Sequence, residues 1–202
     1  MKKNTIVNDT IRITIITLVA GLGLGLVSEI TKAPIAEQAA KAKAEACQAV
    51  FADADDFTEV IDLSNIGAVL ADAGLEGKVD VEEALVAKAG GEALGVVVTV
   101  CDHEGYGGDI RFTVGVSNTD TINGISILNI AETPGLGMNA TKASFLEQFI
   151  GKTLGIAVNK NEPAENEIKA LTGATITSKA VTSAVNTALQ YYAEITGGAN
   201  NG

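Results

Sequence analysis

The sequence predicts an α+β fold: one apolar N-terminal helix, then a single domain with a largely antiparallel sheet flanked by helices. Three observations predict it. No charged residue occurs over 13–28. Two β-branched runs, 93–101 and 110–116, flank a glycine-rich turn, the pattern of a hairpin. Val181, Val185, Ala188, Leu189, Tyr192 and Ile195 recur every three to four residues, which is one face of a helix. Strands in succession followed by helices give the α+β class.

The chain has 202 residues and a net charge of −11. It contains no basic run, which excludes a nucleic-acid surface, because phosphate binding needs clustered Lys and Arg. Residues 1–31 are read as a tail and transmembrane helix. The uncharged run is slightly short of the ~20 residues that span a bilayer, but Ile11 extends it and Arg12 can snorkel. A cleaved signal peptide competes with this reading, yet the candidate cleavage sites Leu18-Val-Ala20 and Leu26-Val-Ser28 each put a bulky residue at one end. Gly21 and Gly25 form a GxxxG spacing that permits close helix packing. Lys2, Lys3 and Arg12 before the run balance Lys32, Lys41 and Lys43 after it, so charge alone sets no orientation.

Residues 32–56 read as a helical stalk that resumes after a break at Pro34. The domain is expected over 57–202. Short strands are expected at 57–63 and 66–70, and a brief helix or irregular segment at 81–88. The hairpin follows, then a turn at Thr121-Ile-Asn-Gly124, a strand over 125–131, a helix over 143–149 and a strand over 154–158. Cys47 and Cys101 show no metal-ligand spacing and read as small buried side chains; no metal site is expected. Cys101 and His103, two apart on a strand, do not read as a nucleophilic pair.

Three segments carry the functional signal. Leu171-Thr-Gly-Ala-Thr-Ile-Thr-Ser178 opens the periodic helix. Thr177 or Ser178 is expected as N-cap. The hydroxyls of Thr172, Thr175, Thr177 and Ser178 and the backbone at Gly173 and Ala174 gather where helix amides favour a phosphate. Glu132-Thr-Pro-Gly-Leu-Gly137 contains a type II turn, with Pro134 and Gly135 at its centre; Glu132 is read as holding the loop rather than acting as a base. Gly105-Tyr-Gly-Gly108 places Tyr106 where glycines admit another surface. No base stands near Thr175 in sequence, so it suits a residue modified once by another enzyme better than one that turns over.

These three segments, in this order, resemble the FMN-binding domains of Rnf and Na⁺-translocating NADH:quinone reductase complexes. Tyr106, together with the absence of Trp, is similar to the G subunits of Rnf complexes rather than their quinone-reductase counterparts. The resemblance implies FMN joined through a phosphoester to Thr175 by a flavin transferase that uses FAD. It also implies Thr133, Leu136 and Gly137 along the flavin ring, Tyr106 beside the flavin or a partner protein, and the remaining Rnf membrane subunits as partners. It implies a cytoplasmic N-terminus, an extracytoplasmic domain and electron carriage without independent substrate turnover. Lys169 stands where that family commonly has an acidic residue. A non-redox module tethered by one helix is the competing class, and a flavin subunit of the quinone reductase is the competing assignment.

Overall fold

The computed structural model describes residues 3–64, 66–72 and 74–197. Lys2, counted above toward the N-terminal charge, lies outside them, as do residues 198–202 of the expected domain. Two compact units divide at residues 43 and 44.

Helix α1 (Lys3–Val50) runs through Pro34, so the expected break is absent. Proline removes one backbone hydrogen bond and crowds the preceding turn, but good helix formers surround it on both sides. The helix is long and apolar enough to cross a membrane, with mean hydropathy 2.0 over its best window. Its threonines suit that medium. The Thr10, Thr14, Thr17 and Thr31 hydroxyls donate to the carbonyls of Ile6, Thr10, Ile13 and Val27 at 2.8–3.1 Å. No hydroxyl proton among these four is left for lipid to satisfy. The Gly21, Gly23 and Gly25 positions face open space.

The second unit begins inside α1: Ala46, Cys47 and Val50 are buried, so the last turns of the expected stalk belong to the domain core. Its centre is a four-stranded antiparallel sheet in the order β1 (Val79–Ala89), β2 (Glu92–Asp102), β3 (Ile110–Ser117), β4 (Ile122–Ile130). On one face Val96, Val98, Val100, Phe112 and Val114 pack with Val181, Val185 and Leu189 of α4 (Thr175–Gly197). On the other, Leu85, Ala87 and Val97 pack with Cys47, Val50 and Phe51. Glycines make that second layer fit. A Cβ at Gly115 would lie 3.0 Å from Val50 and Phe51, and one at Gly124 would lie 3.1 Å from the Val50 backbone. The bare strands thus form a seat for the end of α1, fastened where Asn123 donates from its amide to the Val50 carbonyl at 2.5 Å.

Strand β1 overturns the expectation of a helix or irregular segment over 81–88. The register shifts between Val81 and Glu83, so the core shared with α4 receives Val79 and Val81 before the bulge but Ala84 after it. A bulge changes which alternate residues face the core, and the interrupted alternation mimics helical spacing. Residues 66–70, expected as a strand, lie in helix α2 (Ile66–Asp72). Residues 57–63, expected as a strand, hold a single isolated bridge, Val60 with Leu85. They are tied down by Tyr191, whose hydroxyl donates to the Asp62 carbonyl at 3.0 Å.

The turn before β4 lies at 118–121, three residues earlier than expected, because β4 already starts at Ile122. The expected helix over 143–149 is α3 (Ala143–Leu146) followed by a 3-10 turn at Glu147–Phe149. Its Phe145 and Phe149 rings meet edge to face, centroids 5.5 Å apart. The expected strand over 154–158 is the short β5 (Ala157–Asn159), paired in parallel with β6 (Glu167–Lys169). The Glu167 carboxylate ties that pair by accepting from Ala164 N at 2.9 Å and Asn159 Nδ2 at 2.7 Å, bonds that, Ala164 first, lower its pKa. This small sheet delivers the chain to Leu171, at the mouth of the site.

Candidate functional site

Three loops converge beside the N-terminus of α4. The loop after β4 contains the expected type II turn: Leu136 N donates to Thr133 O at 3.1 Å, and Gly135 has φ of 78°. Asn139 Nδ2 locks it from below by donating to Gly135 O at 2.7 Å. The loop before α4 turns at Gly173, whose φ is 77°, a conformation that other residues resist. Helix α4 starts at Thr175, earlier than the expected caps, so Thr177 and Ser178 stand within its first turn. Ser178 nevertheless organises the entry. Its Oγ accepts from Leu171 N and donates to Ala174 O, both at 2.9 Å. The first backbone bond of the helix runs from Ser178 N to Ala174 O, which leaves the amides of Thr175, Ile176 and Thr177 at the orphan positions of a helix start.

Missing side chains set the spacing between these loops. A Cβ at Gly107 would collide with the Ala131 carbonyl and lie 3.1 Å from Glu132 Cα. One at Gly137 would collide with the Glu132 carboxylate, and one at Gly173 would lie 3.0 Å from Leu136 Cδ2. Glycine is required at Gly107 and Gly137 for close approach, which draws all three loops around one cleft.

The cleft has a volume of about 510 Å³. Tyr106 contributes from the β2–β3 loop, and Glu132, Thr133, Leu136 and Gly137 from the loop after β4. The start of α4 contributes Gly173 through Thr177. Tyr106 is 72 % exposed at the rim. Glu132 is only 6 % exposed and Thr177 fully buried, yet Glu132 Oε1 and Thr177 Oγ1 have no hydrogen-bond partner among the described residues. Unpaired buried polar atoms cost about 1–3 kcal/mol each, and two of them on one concave wall mark a site built for a polar ligand. Glu132 is the sole charged residue of the lining among the described residues, so an anion here would meet helix amides and hydroxyls rather than cations.

Of the residues singled out from sequence, Thr172, Gly135 and Ser178 stand outside the lining. Thr172 and Gly135 are exposed, while Ser178 is turned inward onto the turn it braces. Ile176, unremarked in the sequence, lines the cleft and is exposed. Its signal was an apolar residue at a helix start, off the buried stripe.

A second cluster lies at the base of the β2–β3 loop. Cys101 Sγ, His103 and Asp109 offer donor atoms all within 4.8 Å of one another, closer than the sequence reading of Cys101 and His103 allowed. His103 Nδ1 is 2.9 Å from Asp109 Oδ1, and its Nε2 is 3.0 Å from Asp80 Oδ2. These two bonds, Asp109 first, raise the imidazole pKa to about 8. Burial, then the charge of Asp109, pushes the Cys101 thiol up to about 11, which excludes a thiolate nucleophile paired with His103. Neighbouring Asp102 is fully buried. Its Oδ1 accepts from Glu104 N at 2.8 Å, and burial pushes its carboxyl up to about 6. Cys47 is buried as well.

The domain around the cleft is of the FMN-binding class: the family model described as FMN-binding domain matches residues 105–190, a span that includes all three loops. Over 182 residues the chain is 35% identical to the G subunit of the Na⁺-translocating ferredoxin:NAD⁺ oxidoreductase complex of Acetobacterium woodii, covering 88% of this chain and 87% of that protein. Over 197 residues it is 33% identical to the G subunit of the proton-translocating ferredoxin:NAD⁺ oxidoreductase complex of Clostridium ljungdahlii, covering 97% and 96%. The C subunit of the Na⁺-translocating NADH-quinone reductase from Parabacteroides distasonis aligns with a TM-score of 0.47 at 25% identity, over 60% of this chain and 65% of that one. The chain belongs to the G-subunit family of the Rnf-type ion-translocating oxidoreductase complexes.

Proposed function

We propose that this chain is a membrane-anchored electron-carrier subunit of an Rnf-type ferredoxin:NAD⁺ oxidoreductase, with FMN joined by a phosphoester to Thr175. The observation that carries the reading is the convergence of three distant loops on a cleft whose wall holds two unpaired buried polar atoms, Glu132 Oε1 and Thr177 Oγ1. The residues fit FMN. The orphan amides of Thr175, Ile176 and Thr177 and the neighbouring hydroxyls suit the phosphate, while Leu136, Ile176 and Tyr106 offer apolar surface to a flat ring. Glu132 Oε1 and Thr177 Oγ1 supply an acceptor and a hydroxyl for its polar edges. When bound, FMN supplies redox chemistry that no side chain in the lining can.

The chain's own residues position the group, and the glycines let the loops approach closely enough to enclose it. Attachment belongs to another enzyme. Among the described residues the lining holds no histidine, lysine or cysteine, and its one carboxylate, Glu132, is read as holding the loop rather than as a base for a threonine hydroxyl. A flavin transferase would join the Thr175 oxygen to the FMN phosphate of FAD with AMP as leaving group. Helix α1 is the anchor, the remaining membrane subunits of the complex are the partners, and the domain faces the extracytoplasmic side with the N-terminus inside.

The test is in-gel flavin fluorescence after denaturing electrophoresis of the full chain expressed with a flavin transferase. A fluorescent wild-type band that disappears in Thr175→Ala is expected. A dark wild-type band beside a fluorescent flavinylated control would overturn the covalent reading and favour the tethered non-redox module.

A further inference from the structure

We propose that Cys101, His103 and Asp109 form a binding site for one divalent transition-metal ion of the zinc class, with Asp80 as a positioning residue. The site is separate from the cleft and shares none of its lining residues. The sheet register builds it. Asp80 on β1 and Arg111 on β3 lie directly opposite Cys101 on β2, and cross-strand partners project to one face. His103 follows two residues later, just past the end of β2, and Asp109 immediately precedes β3.

The donor set is a thiol, an imidazole and a carboxylate. This borderline combination suits zinc rather than magnesium or calcium, which prefer oxygen alone. Tetrahedral zinc bonds of ~2.0–2.3 Å place donor atoms about 3.3–3.7 Å apart. All three donors already lie within 4.8 Å of one another, and the 2.9 Å between His103 Nδ1 and Asp109 Oδ1 would open modestly. The 3.0 Å bond from His103 Nε2 to Asp80 fixes the ring with Nδ1 toward Asp109. A carboxylate on the distal imidazole nitrogen is how metal-ligating histidines are usually oriented.

Charge points the same way. The neighbouring cations Arg111 and Lys78 are each engaged by a glutamate, Glu82 and Glu104 respectively, so Asp80 and Asp109 share His103 between them. The thiol is buried, whereas the His103 and Asp109 side chains are 34 % and 65 % exposed, which leaves an entry path and a fourth position for water. On coordination the thiol releases its proton to solvent, with no redox change. The ion would clamp both ends of the loop that carries Tyr106 to the cleft.

The test is titration of the full-length chain in detergent with Co²⁺ as a spectroscopic stand-in for zinc. One equivalent should give a thiolate-to-cobalt charge-transfer band with tetrahedral d–d absorption, reversed by added Zn²⁺. Cys101→Ser should abolish the charge-transfer band and Cys47→Ala should keep it. Asp80→Asn should weaken binding about 10–100-fold while leaving the band's shape unchanged. The wild-type titration decides whether a thiolate site exists, and the cysteine variants, compared at matched far-UV circular dichroism, decide which thiol makes it. A wild-type titration without a thiolate band overturns the site and leaves His103 as an ion-pair clamp between the two aspartates. A band that follows Cys47 instead also overturns it.

Discussion

Gly107→Ala tests whether close loop approach creates the cleft. An added Cβ would collide with the Ala131 carbonyl oxygen and lie 3.0 Å from the Ala131 carbonyl carbon and 3.1 Å from Glu132 Cα. Comfortable contact is about 3.5–4.0 Å between carbons and only slightly less to a carbonyl oxygen, so relieving the collision with the Ala131 oxygen needs the two loops to separate by roughly 1 Å. The obstacles are backbone atoms, which cannot rotate away as a flexible side chain would. Overpacking of this kind costs about 1–3 kcal/mol. At about 2–4 °C per kcal/mol for a domain of this size, the expected loss in Tm is about 2–12 °C. The assay is thermal denaturation of the full chain in detergent beside Gly67→Ala, a helical glycine whose Cβ would meet nothing within 4 Å. That control should be neutral or gain up to about 1 kcal/mol from helix propensity. If Gly107→Ala melts with the wild type, the loops are not in contact and the cleft is not held by glycine spacing.

Two further outcomes follow from particular hydrogen bonds. Ser178→Ala removes the acceptor of Leu171 N and should cost about 1–3 kcal/mol by leaving that partly buried amide unpaired; chemical denaturation reads the loss. In-gel fluorescence should show reduced flavin incorporation, because the turn before Thr175 loses its brace. Asn186 accepts from Gly155 N and Ile156 N at 3.0 and 2.9 Å and donates to Ile156 O at 2.9 Å. Asn186→Ala should therefore cost about 2–4 kcal/mol in denaturant titrations and leave flavin incorporation intact, since Asn186 lies outside the cleft lining.

The sequence by itself determined the class of the fold, the apolar helix, the hairpin of β2 and β3, the buried stripe of α4 and the type II turn at Pro134 and Gly135. Each is a local pattern: a run without charge, an alternation, a spacing of three to four, or a turn residue whose φ is preset. What the sequence misread had non-local causes. Strand β1 was hidden because a bulge at Glu82 breaks its alternation, and only pairing with β2 reveals which residues face the core. The start of α4 moved forward to Thr175 because Ser178 bonds back to the turn instead of capping the helix. Strand β6 is three residues long and exists through its parallel partner β5, which no short-range signal encodes.

Tertiary structure alone decided how the motifs meet. Nothing in the spacing of Gly107, Gly137 and Gly173 tells which chain segment each must let pass, yet those contacts gather the three loops around one cleft. Cys101, His103, Asp109 and Asp80 likewise carry no ligand spacing in sequence. Their donor atoms come together because antiparallel register sets Asp80 opposite Cys101 and folds the β2–β3 loop back so that Asp109 reaches His103. Local propensity fixes which elements form, but contact between distant side chains depends on sheet register and backbone clearance, and those are settled only when the chain packs.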